Sequence, residues 1–170
     1  GEALRSKTFW VLGLCFSMRM LGTAAVPVHL IAYLSEDVGF STTRAALYLG
    51  LIGQVSAGGR LGLGYLGDVL PKRQVVAFAF AVQAAGVAVL GFVDGTAMAI
   101  VFLVLFSTGH GGAAPLMFAT RAEYFGRRHY ATISGIAAPV MLVGTVTGPV
   151  VAGAFHEAHR ARYGHANLDQ

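Results

Sequence analysis

Five predominantly apolar runs, at about 8–34, 43–67, 74–93, 97–120 and 130–156, make up most of this 170-residue chain, with only short polar stretches between them. Runs of that length have few places to go in water. A strand is spent in roughly 5–6 residues, and a surface helix shows a polar stripe. A helix of about 20 apolar residues instead matches a hydrocarbon layer about 30 Å thick. With 55% hydrophobic and 12% charged residues and a mean hydropathy of +0.65, the chain carries about half the charge of an average soluble domain. The expected fold is an all-α membrane protein with five transmembrane helices. Residues 1–170 are expected to form part of one transmembrane domain, with no linker or second soluble domain visible.

The short loops orient the helices. Arg5 and Lys7 precede the first run, Lys72 and Arg73 follow the second, and Arg121, Arg127 and Arg128 follow the fourth. The opposite loops hold Glu36, Asp37 and Asp94, with Arg44, Arg160 and Arg162 as their bases. Because basic loops stay on the cytoplasmic side, the N-terminus is expected inside and the tail outside, in a multi-pass cell membrane protein (inner or plasma) surrounded by lipid bilayer. The net charge of +4 comes from these scattered pairs rather than from one basic stripe, so nucleic acid is not an expected partner. The single cysteine, Cys15, lies within an apolar run and is read as inert packing. It supports neither a disulfide framework nor a thiolate metal site, and no metal or cofactor is expected.

The stretch from Gly58 to Arg73 contains Gly62-x-Gly64-x-x-Gly67, which matches the dinucleotide fingerprint letter for letter. That fingerprint needs a preceding strand, a following helix and an acid about 20 residues on. Here the preceding run is too long for a strand, and no acid follows until Asp94. In a membrane the same glycines allow close helix approach, and the bases fix the loop inside. Gly64-x-x-x-Asp68-x-x-x-Lys72-Arg73 resembles the loop signature of the major facilitator superfamily, between the second and third helices of each six-helix half, with Val69 and Pro71 as departures.

A second stretch, Arg121-Ala-Glu-Tyr-Phe-Gly-Arg-Arg-His-Tyr-Ala-Thr-Ile-Ser-Gly135, is similar to the loop before the eleventh helix in members near the oxalate/formate antiporters and monocarboxylate transporters. The helix-one pattern Val28-His29-Leu30-Ile31-Ala32-Tyr33-Leu34 extends the likeness. The resemblance implies a six-helix half bundle built from inverted three-helix repeats, here a C-terminal half with its sixth helix missing. The absence of an initiator Met points the same way, to an internal segment whose partner is the missing N-terminal half.

Ionisable residues at membrane depth are costly and become functional candidates by default. Arg19 falls about 11 residues into the first run, near mid-bilayer at ~1.5 Å per residue, and no acid lies within any run's core. It either faces a water-filled cavity and pairs with an anionic substrate, or meets a counter-ion on the missing half. His110 is similarly deep, within Gly109-His110-Gly111-Gly112-Ala113-Ala114-Pro115. The Gly-x-Ser-x-Gly turn that would complete an esterase reading of this run is absent. The glycines and Pro115 describe a helix able to bend and pack closely, in which His110 binds substrate, relays a coupling proton, or makes an interhelical hydrogen bond. His29, near the outer end of the first run, is a weaker substrate candidate and more naturally structural.

The remaining charged positions suggest a gate. Arg60 lies two turns before Asp68 on a similar helix face, and both join Gly64, Lys72 and Arg73 in controlling inward opening. Asp68 is placed to accept backbone N–H groups at the start of the fifth helix near Ala131, with Glu123 and Arg127 as a second, i to i+4 latch. In the oxalate-type relatives the fifth helix offers a lysine to a dicarboxylate; Met141 stands in that neighbourhood, so the resemblance implies a monocarboxylate-like small organic anion moved by alternating access, by symport or antiport. A membrane-embedded enzyme is the competing class, but it needs acids, paired histidines or a nucleophile dyad at depth. A non-transporting assembly or receptor subunit is the third.

Overall fold

The computed structural model describes residues 7–125 and 130–163. Among them are five α-helices and no strand. They are α1 (Lys7–Ala32), α2 (Thr42–Val69), α3 (Lys72–Leu90), α4 (Thr96–Phe125) and α5 (Tyr130–Tyr163). A π-helical turn, Tyr33–Asp37, extends α1, with the Val38 amide donating to the Tyr33 carbonyl at 3.2 Å. Ser41 caps α2 by accepting from the Arg44 amide, and Pro71 opens α3, where its missing N–H costs nothing.

Three helix ends differ from the apolar runs. Helix α3 stops at Leu90 because Gly91 and Phe92 turn the chain, while α4 continues to Phe125 and α5 to Tyr163. Polar sequence can prolong a helix beyond the membrane without changing hydropathy inside it. Four of the five helices are long and apolar enough to cross a bilayer. Helix α2 falls short in hydropathy, although it is 28 residues long. Its seven glycines, with Gln54 and Arg60, dilute the apolar residues. The bundle is nonetheless apolar outside: Leu61 is 78% exposed, Phe92 74% and Val150 67%, a surface that suits lipid or another helical domain and not water.

Helix α4 is the centre of the packing, with α2 along one side and α3 along another, while α1 pairs with α5. Glycines set these distances. A Cβ added to Gly59 would lie 2.5 Å from the Thr108 carbonyl oxygen, and one added to Gly109 would lie 2.5 Å from the Gln83 amide nitrogen. Gly144 and Gly148 of α5 meet the Ser17 and Leu21 backbone of α1 in the same way, so the two helices run parallel with backbones nearly touching. We expect Gly144→Leu to wedge α1 from α5. Overpacking costs of about 1–3 kcal/mol apply, read as a lower thermal midpoint in detergent; an unchanged midpoint would mean that this contact is not tight.

The two ends of the bundle are fixed by polar contacts. Lys72 Nζ lies 3.7 Å from Glu123 Oε2, bringing the α2–α3 turn beside the C-terminal end of α4. At the opposite end Arg44 donates to Thr96 Oγ1 at 2.8 Å and covers the Phe40 ring.

Candidate functional site

The run from Gly109 to Gly112 determines what can gather at the middle of the bundle. With hydrogen for a side chain at three of four positions, α4 can be approached from several directions at one level: Gly109 by α3, Gly111 and Gly112 by α2. His110, the one side chain in the run, is left facing α1. Helix α4 stays α-helical through this stretch and past Pro115, so close packing, rather than a break, is what the glycines provide here.

Arg19 of α1 reaches into this junction and is only 8% exposed. Its Nε donates to Gln83 Oε1 at 3.0 Å, and its Nη2 donates to the His110 carbonyl at 3.1 Å. Nη2 also lies 3.5 Å from His110 Nδ1, and Nη1 lies 3.5 Å from Met117 Sδ. The guanidinium stands 5.7 Å from the centroid of Phe80. Gln83 is itself held, donating to Thr23 Oγ1 at 2.7 Å, and the His110 ring stacks parallel on Phe106. Arg19 therefore meets neutral acceptors and an aromatic face rather than an open cavity. A planar cation with five donors can be satisfied this way, but its charge is not cancelled.

Arg60 occupies a different situation. Gly59 presses on Thr108, so Arg60 stands level with His110 on the flank of α2. It is exposed, one residue along α2 from the glycine that packs on Thr108. Two arginines from different helices thus stand at the level of His110, and Arg19 is the one that touches it. The acids of the described helices, Glu36, Asp37, Asp68, Glu123 and Glu157, all lie at or near helix ends, and Asp94 lies in a loop. The junction carries positive charge with no carboxylate at its level.

The other candidates lie apart. His29 Nε2 donates to the Pro149 carbonyl at 2.9 Å and clips α1 to α5, ten residues along α1 from Arg19. Asp68, Arg73 and the exposed Glu123 are at the far end of the bundle from Arg44, and Gly64 is partly buried. Glu123 pairs with Lys72; Arg127 lies outside the described residues. Such an exposed pair is worth at most about 1 kcal/mol, so Glu123→Gln should leave the thermal midpoint nearly unchanged. A large drop would show that the pair is coupled to something stronger. Cys15, read from sequence as packing, is exposed on α1, because the buried face of that helix turns toward Phe16, Arg19 and Val26. No group of three metal-ligating side chains occurs among the described residues. An open groove on the Thr42 half of α2, reaching Gln54, carries no charged side chain and is not part of the junction.

Sequence reading missed Gln83, Met117 and the burial of Arg121. Gln83 had a signal: after the first turn of α3 it is the one side-chain amide in an apolar helix. Arg121 had none, since it resembles any loop base. It is 5% exposed, lies 4.8 Å above the Phe16 ring and donates to Met141 Sδ.

The family model described as Major Facilitator Superfamily matches residues 1–163. The chain belongs to that superfamily. Its five helices are consistent with a half bundle of the facilitator fold, and membership makes it a multi-pass membrane protein of the secondary transporter class. In this facilitator Arg19 of α1, Gln83 of α3 and His110 of α4 meet at one level, with Arg60 exposed on α2 beside them.

Proposed function

We propose that this protein moves a small organic anion, monocarboxylate-like, across the cell membrane by alternating access, as in the oxalate/formate and monocarboxylate group. One observation carries the reading: Arg19 Nη2 lies 3.5 Å from His110 Nδ1, the exposed Arg60 stands at the same level, and among the described residues no carboxylate lies there. Uncompensated positive charge inside a membrane is expensive, and a transported anion would offset it.

The two arginines divide the work. Arg19 is committed to Gln83, His110 and Met117, and so sets the local potential and the shape of the junction. Arg60, exposed at the same level, is free to meet the anion with its planar fork. His110 lies between them and tunes the site. Gly64, Asp68, Lys72, Arg73, Glu123 and Arg127 belong to the inward-opening gate, on the cytoplasmic side with the N-terminus. The remaining wall of the cavity would come from the companion N-terminal half.

The test is uptake of lactate and pyruvate into proteoliposomes, with choline as a cationic control. Saturable uptake of the carboxylates alone supports the reading. Saturable uptake of the cation alone would reject it.

A further inference from the structure

The five helices fall into two groups. Helices α1 and α5 make a two-helix leaf, while α2 and α3 pack on α4 as a three-helix block. Within each group glycines bring backbones together: Gly144 and Gly148 onto Ser17 and Leu21 in the leaf, Gly59 and Gly109 onto Thr108 and Gln83 in the block. The seam between the groups is looser. A Cβ added to Gly22 of α1 would stand 3.8 Å from Val87 of α3, an ordinary van der Waals contact.

That seam changes character along its length. Toward Leu34, the leaf residues Val26, Leu30 and Leu34 are buried in one apolar cluster with Tyr48, Ile52, Phe102 and Phe106 of the block. Toward Phe125, the apolar cluster of the block runs from Leu63 through Val76 and Ala79 to Leu116, and among the described residues it takes none from the leaf. Arg121 of α4 crosses the seam at that end. It is 5% exposed, lies 4.8 Å from the centroid of Phe16 of α1 and donates to Met141 Sδ of α5. Phe16 in turn meets Phe80 of α3 edge-on at 5.9 Å.

Arg19 also crosses the seam, but the two arginines differ in what they could reach on leaving it. Arg19 lies about midway along the 26-residue α1, far from either border of the bilayer. Arg121 is four residues before Phe125, the last residue of α4, or about 6 Å along the axis. An arginine side chain covers that distance and can snorkel to the border. The thioether and ring face that hold Arg121 are weaker partners than water or a lipid phosphate.

We propose that the α1–α5 leaf swings away from the α2–α4 block at the Phe125 end, with the apolar cluster around Leu30 and Phe102 as hinge and Arg121 as a releasable catch. Docked, Arg121 holds Phe16 and Met141 together and the seam is shut. Released, its guanidinium reaches the membrane border, while close apolar packing keeps the Leu34 end closed. Arg19, bound to Gln83 and His110 near the pivot, keeps its contacts in both positions. The motion lies within this bundle and does not depend on what is carried.

The test is double electron–electron resonance in lipid nanodiscs, with spin labels on paired cysteines in a Cys15→Ser background, since Cys15 is exposed. Leu70→Cys with Ile136→Cys spans the seam at the Phe125 end, and Phe92→Cys with Val150→Cys spans it at the other; all four native side chains are exposed. The first pair should give two distances and the second pair one. Arg121→Gln should raise the ratio of the longer to the shorter distance in the first pair by roughly ten- to thirtyfold, as for loss of a desolvated cation–aromatic contact. The second pair should not change. One narrow distance for both pairs before Arg121 is touched would mean that the five helices move as a single body, and it overturns the proposal even if Arg121→Gln does not fold. Two distances in both pairs remove the hinge. A first-pair ratio unchanged by Arg121→Gln removes the catch, and so does a change that appears equally in both pairs.

Discussion

Replacing Arg60 by alanine is expected to lower the kcat/KM of carboxylate uptake by roughly 30- to 1000-fold, the range for losing a charge-assisted contact in a dehydrated site, while leaving thermal stability close to wild type. The two halves of that expectation have one cause. Arg60 is exposed on the flank of α2, so its removal leaves no hole, but it stands level with His110, where the proposed site would hold the anion. Arg60→Lys keeps the charge and loses the planar fork, and should fall between the two. Uptake by reconstituted vesicles checks the series, with the melting profile of each variant as the folding control. If Arg60→Ala transports at the wild-type rate, Arg60 does not touch the anion, and the gating role suggested by its spacing from Asp68 becomes the better account.

The second large effect concerns folding. Gln83→Leu should destabilise the protein by about 2–3 kcal/mol, because a buried charged group loses a hydrogen bond it cannot replace from an apolar wall. Gln83 holds Arg19 Nε with its oxygen and Thr23 with its nitrogen, so one substitution leaves two side chains of α1 short of a partner. Arg19→Met with Gln83→Leu removes both members and should recover much of the loss. A double-mutant cycle in denaturant reads this directly: strong non-additivity is expected for residues in one network. Additive single effects would mean that Arg19 draws its support from Met117 and the His110 carbonyl alone.

These two results separate roles that sequence alone cannot separate. Arg19 and Arg60 are both arginines within helical runs, and depth made the first appear the more exposed to substrate. The structure places Arg19 among Gln83, His110 and Met117 at 8% exposure and leaves Arg60 open. The distinction rests on helix rotation, about 100° per residue, which is set by what the neighbouring helices offer. Residues 64, 91 and 98 positions away along the chain supply the walls around Arg19.

The number of helices, their membrane setting and the superfamily were legible from sequence. Each depends on local quantities: the length of apolar runs against bilayer thickness, and the loop pattern from Gly64 to Arg73. The glycines announced close packing, although not against what; only the folded chain pairs Gly144 and Gly148 with α1 and places Gly109, Gly111 and Gly112 between α3 and α2. Hydropathy is a sum over neighbours in sequence, so the one-dimensional chain contains it in full. The meeting of Arg19, Gln83 and His110 depends on rotations and crossings of helices far apart in sequence, and only tertiary packing decides those.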